Sequence, residues 1–205
     1  MRIKTIVNAV EAELLPKIKG SRFIGFAGPV SSREEALQLV ASRRALIPQA
    51  NHHCFAYTLA TTNESFCSDD GEPHSTAGRP ILQVLTHHQV QDVCLIVSRI
   101  FGGTKLGTGG LVRAYGSAAE HTIAQAQILE TEVTSPCVIS IPIRFTEIVK
   151  KWLHSHEGVV TAVQFESTTV EMSVKVPLIH EAKFEKYVNE LSGGRASISK
   201  PANDR

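Results

Sequence analysis

Hydrophobic positions change period several times along the 205-residue chain, and each change marks a predicted element. Alternation through Ser21, Arg22, Phe23, Ile24, Gly25 and Phe26 predicts a strand that closes at Pro29. The spacing of Ala36, Leu37, Val40 and Ala41 then predicts a helix. Its start is marked by Ser31 with Glu34 and by Ser32 with Glu35, each at the spacing of a capping box. Arg43 and Arg44 lie near its negative end, and Pro48 stops it. His52 to Leu59 reads as a strand, Ser68 to Gly78 as a polar turn-rich stretch, and Ile81 to Leu85 as an apolar segment compatible with helix. Val93 to Val97 is apolar throughout and short, as in a strand buried on both faces. The chain is then glycine-rich from Gly102 to Gly110, and helical spacing resumes with Leu111, Ala114, Tyr115, Ala118, Ala119 and Thr122. A buried strand, a glycine loop and a helix therefore follow one another directly.

Gln125 to Ser135 is polar, ends at Pro136 and reads as a linker, which divides the chain into domains 1–130 and 131–205. Beyond it, Val138 to Ile143 alternates, and Phe145, Ile148, Val149, Trp152 and Leu153 fall on one helical face. Val159 to Phe165 and Val170 to Val176 read as strands, Phe184 to Leu191 as a helix closed by Gly193 and Gly194, and Ala196 to Ser199 as a last short strand. The order β-α-β-β-α-β is that of the ferredoxin-like arrangement, so the fold class is α+β.

Composition adds limits. The first domain carries 12 basic and 11 acidic residues and the second nine of each, so no global field draws the protein to nucleic acid or anionic lipid. Any such binding needs a local patch. The four cysteines lack C-x-x-C spacing and the N-terminus lacks a secretory h-region, which points to the cytosol with reduced thiols. No run of about 18 apolar residues predicts a membrane span.

The glycine-rich stretch carries the strongest chemical signal. Gly102, Gly103, Gly107, Gly109 and Gly110, placed before a helix, let backbone amides approach an anion while the helix dipole favours negative charge. Lys105 and Arg113 can add charge-assisted hydrogen bonds, and Lys19, Arg22 and Arg99 can extend a basic surface suited to phosphate. Neither nucleotide fingerprint is present, because Val112 holds the last glycine position of G-x-G-x-x-G and no Ser or Thr follows a Walker-type lysine. Asp69, Asp70 and Glu72 around Gly71 form a candidate acidic site, able to hold a hard cation or to cap a helix starting near Thr76. In His52, His53 and Cys54, strand geometry lets only the first and third share a face, so core packing or hydrogen bonding is favoured over metal binding. No catalytic set, metal or cofactor is implied.

Taken in order, Lys19, Ser21, Arg22 and Phe23; His52, His53 and Cys54; Ser68 to Pro73 with Thr76, Ala77, Gly78 and Pro80; and Arg99 with Phe101 to Tyr115 resemble the YigZ/IMPACT family. The family pattern usually has glycine where this chain has Ser75 and an aromatic where it has Ile100. The resemblance implies an N-terminal domain of the βαβ type found in ribosomal-protein and GHMP-kinase folds. In bacterial members a ferredoxin-like domain follows, and the pair is similar to domains IV and V of elongation factor G. It implies a link to translation, since eukaryotic relatives regulate initiation, though through an additional domain that this sequence lacks.

The reading that follows is a non-catalytic cytosolic factor that binds RNA, the ribosome or a translation protein through the glycine-rich basic surface. The alternative is a metal-dependent enzyme on a phosphorylated or nucleotide-like small molecule, with the glycine loop as cradle and the acidic turn as metal holder. A third is an adaptor that touches neither RNA nor nucleotides.

Overall fold

A computed structural model describes residues 2–200, which divide into a unit of residues 2–131 and a unit from residue 132 onward. The first contains β1 (Arg2–Ile6), β2 (Val10–Glu13), β3 (Arg22–Pro29), α1 (Arg33–Leu46), β4 (His52–Leu59), β5 (Glu64–Ser68), α2 (Gly78–His88), β6 (Val93–Ile100), α3 (Thr108–Ala124) and β7 (Ile128–Glu132). Five strands form an antiparallel sheet in the order β2-β3-β6-β4-β5. Period-two alternation decides which layer each side chain enters. Cys54 and Ala56 of β4 and Val93, Leu95 and Val97 of β6 pack under α2 and α3. Phe55, Tyr57 and Leu59, with Cys94 and Ile96, pack under α1. This two-sided burial is why Val93 to Val97 is apolar without interruption.

Of the two capping signals, the second is used. Ser32 accepts the Glu35 amide at 3.2 Å, and the Glu35 carboxylate accepts the Ser31 amide at 2.6 Å and its hydroxyl at 2.9 Å. The segment around Ile81 is helical, as α2. The expected linker is not one: residues 128–132 form β7, which pairs with β1 in a separate two-stranded sheet, and the next strand begins at Thr134. Ile128 and Leu129 are exposed, so β7 has no buried face to give it an alternating signature. β2 and β5, which contain no fully buried residue, are hidden in the same way, and β1 offers only Ile6 to the core.

The second unit runs β8 (Thr134–Pro142), a single 3-10 turn (Ile143–Phe145), α4 (Thr146–Ser155), β9 (Val159–Phe165), β10 (Thr169–Pro177), a second 3-10 turn, α5 (Glu181–Ser192) and β11 (Ser197–Ser199). Its antiparallel sheet has the order β11-β8-β10-β9, with β9 at one edge, in keeping with the ferredoxin-like arrangement. Cys137, Ile139 and Ile141 alternate into a core shared with Met172, Val174, Trp152, Leu153, Phe184 and Val188. Gly193, left-handed at φ 60°, ends α5. Among the described residues no helix is long and apolar enough to cross a membrane.

Candidate functional site

The acidic turn lies between β5 and α2, and each carboxylate faces a different partner. Asp69 accepts the amide of Ser75 at 2.7 Å and those of Ala77 and Gly78 at 2.9 Å each, so it caps the start of α2 from outside the helix. Burial opposes its ionisation, but the three amides outweigh that and hold its carboxyl below the usual aspartate range. Ser75, the position at which the family resemblance leads one to expect glycine, adopts a left-handed φ of 59°. Asp70 accepts the His53 amide at 2.6 Å and the Arg44 guanidinium at 2.9 Å. His52 and Cys54 point to the same turn, through Nδ1 to the Asp70 carbonyl at 2.8 Å and through Sγ to the Asp69 carbonyl at 3.0 Å. His53 turns the other way, against Ser98 Oγ at 2.8 Å, as alternation along a strand demands.

Replacing Asp69 by alanine is expected to destabilise the first unit by about 2 kcal/mol, the scale of a lost cap carrying charged hydrogen bonds. Because the native carboxyl titrates below the unfolded value near ~3.9, its contribution is complete above that pH and disappears as pH falls through the native value. Thermal midpoints of wild type and Asp69→Ala, well separated at about pH 6, should converge on acidification. A gap that stays constant would contradict the assignment.

Glu72 belongs to a second, buried group. Its Oε1 accepts from Arg99 at 2.7 Å and from the Tyr115 hydroxyl at 2.7 Å, and the side chains of Glu72 and Arg99 are 4% and 6% exposed. Burial raises the Tyr115 phenol well above its ordinary range, so it remains a donor, and raises the Cys54 thiol, which stays protonated and unreactive at neutral pH. Ser21 lies beside this group and accepts the Gly102 amide at 3.2 Å. Asn51 accepts the Phe101 amide at 2.9 Å. The glycine loop is therefore anchored at its first two residues to β6, to the Lys19–Gly20 turn and to the segment before β4.

Beyond those anchors the loop is open. Gly103 and Gly107 have φ of 88° and 73° with no atom within 4 Å of where a Cβ would stand, so glycine is required by backbone conformation and not by crowding. Gly107 is the N-cap of α3, no side chain caps that end, and its first turn contains no acidic residue. Gly109 and Gly110 lie in the first turn of the helix itself. Lys105 and Arg113 are exposed and have no ion-pair partner among the described residues. Lys19 is exposed at a two-residue turn closed by Ile18 and Ser21, and that turn packs directly against Gly102.

The structure thus divides the basic residues singled out in the sequence. Lys19, Lys105 and Arg113 stand around the loop. Arg99 lies beneath it, neutralised by Glu72, and Arg22 is held by Glu13 through two hydrogen bonds of 2.8 and 2.7 Å. Asp69, Asp70 and Glu72 do not converge, and among the described residues no three His, Cys, Asp or Glu side chains are grouped to hold a metal ion. The sequence assigns neither Tyr115 nor Phe101 a role in the site, although both lie within the family motif. The periodicity of α3 explains the first, because Tyr115 lies on the buried stripe and only its hydroxyl reaches Glu72.

Residues 19–123, which include the glycine loop, the acidic turn and the Glu72–Arg99–Tyr115 group, match the model of the Impact N-terminal domain. The chain belongs to the IMPACT family. The IMPACT family member YvyE of Bacillus subtilis is 32% identical over 201 residues, covering 95% of this chain and 88% of YvyE. The IMPACT family member YigZ of Escherichia coli is 39% identical over 123 residues, covering 58% of this chain and 60% of YigZ. A crystal structure of a hypothetical protein matches this family member with a TM-score of 0.67 at 27% identity, covering 99% of this chain and 98% of that one.

Proposed function

We propose that this IMPACT family member is a non-catalytic, translation-linked factor of the cytosol that grips an anionic partner, RNA or ribosome or an acidic translation protein, through loop 102–107 and the start of α3. One observation carries this reading: an exposed glycine loop ends in a helix start without a side-chain cap, and exposed Lys105 and Arg113 beside it have no acidic partner among the described residues. Such a helix end is electropositive and offers amides to an anion. The nearby acidic turn supports binding indirectly, because its oxygens already accept from amides, Arg44, Arg99 and Tyr115 and so hold the scaffold. The link to translation rests on family membership.

Binding to labelled RNA and to ribosomes across a salt series tests the reading. Affinity should fall as salt rises, and Lys105→Ala with Arg113→Ala should weaken binding and flatten the log–log salt slope by roughly 1.4, two contacts at about 0.7 each on a single strand. Unchanged affinity and slope in the double variant would overturn it. Binding to an acidic protein with none to RNA would select the protein partner.

A further inference from the structure

We propose that the anionic partner reaches the loop as a single-stranded nucleic acid, with one base stacked on Phe101. The inference rests on the anion-binding reading above and adds which polymer fits the surface. Phe101 is the first residue after β6, and it is 45% exposed. Its amide is held by Asn51 and the next by Ser21, at 2.9 and 3.2 Å, so the ring stands on a fixed backbone at the edge of an otherwise glycine-lined loop. The Arg99 guanidinium lies 5.5 Å from its centroid and is itself locked on Glu72. An aromatic ring on an anchored backbone and nearly half exposed presents a π-surface for a planar group.

Three exposed cations lie on the same loop and on the turn and helix next to it. Lys19 stands on the turn packed against Gly102, Lys105 four residues further along the loop, and Arg113 on the first turns of α3, its guanidinium 3.8 Å from where a Gly109 side chain would begin. Among the described residues none of the three is paired with a carboxylate: Glu13 is taken by Arg22, and Glu72 is buried against Arg99. An acidic peptide satisfies the cations but supplies no base for the ring. A duplex supplies phosphates but keeps its bases stacked on each other. A single strand meets both requirements, because every base has a face to stack and every linkage a charge.

The test measures binding of a short fluorescein-labelled oligouridylate, and of the same backbone without bases, to the full-length protein. Phe101→Ala, checked by circular dichroism to be folded, should bind the oligouridylate on the order of tenfold more weakly with an unchanged salt slope. Phe101→Trp should retain affinity, and its added indole emission should be quenched on binding. The base-free backbone should bind wild type as weakly as the oligouridylate binds Phe101→Ala. Equal affinity of wild type and Phe101→Ala, or of the two ligands, would overturn stacking while the salt-dependent contacts of Lys105 and Arg113 still stand. No binding of either ligand at low salt, with polyglutamate bound instead, would overturn the single-strand proposal and leave an acidic protein as the partner.

Discussion

Glu72→Ala should lower the stability of the first unit by about 3–5 kcal/mol, the cost of leaving one member of a buried ion pair without its counter-charge. The side chains of Glu72 and Arg99 are 4% and 6% exposed, so water cannot replace the lost carboxylate. Arg99 would keep a full charge beneath the loop, its Nε already without a partner, and the Tyr115 hydroxyl would lose its acceptor at the same time. In urea, at a slope of about 2 kcal/mol per molar, the midpoint should fall by roughly 2 M. Glu72→Gln, which still accepts hydrogen bonds but carries no charge, should lie between. Adding Arg99→Ala to Glu72→Ala should cost less than the sum of the single changes, because the stranded charge is gone. Trp152, the one tryptophan, lies in the second unit, so its fluorescence reports that unit while far-UV circular dichroism follows both. A Glu72→Ala midpoint within about 0.5 M of wild type would contradict the buried-pair assignment.

Gly102→Ala is expected to abolish high-affinity binding at the loop and to destabilise the first unit by about 1–3 kcal/mol or more, the range for overpacking. A methyl group at Gly102 would overlap the Gly20 carbonyl carbon and the Ser21 nitrogen, both main-chain atoms that no rotamer change can move aside. Either the loop or the Lys19–Gly20 turn must shift, and the Gly102 amide must leave Ser21 Oγ. Gly103→Ala gives the contrast. Its neighbourhood is empty, so only the left-handed φ of 88° is penalised, about 1–2 kcal/mol, with the anchors intact. Salt-dependent RNA binding and thermal midpoints of the two variants, measured side by side, should therefore separate: Gly102→Ala loses the ligand, and Gly103→Ala loses stability with binding reduced only in part. Equal binding by Gly102→Ala and wild type would show that the anchor does not position the site.

Legibility followed burial. The strands and helices of the second unit were readable because each has one buried stripe, as Ile139 and Ile141 on β8 or Val149, Trp152 and Leu153 on α4. β6 was readable as a strand buried on both faces, and the succession from it through the glycine loop to α3 is a local matter of chain order. β7 reads as linker in the sequence because its stability comes from pairing with β1, over a hundred residues away in the chain, and not from an apolar face of its own.

For the site, sequence by itself determined the glycines, the cations and the family motifs, since backbone freedom and side-chain charge are properties of single residues. Tertiary structure alone decided which charges remain available. It joined Glu72 on one loop to Arg99 at the end of β6 and Tyr115 on α3, and left Lys105 and Arg113 unpaired, because Coulomb attraction depends on distance in space and dielectric, neither of which is written in residue spacing.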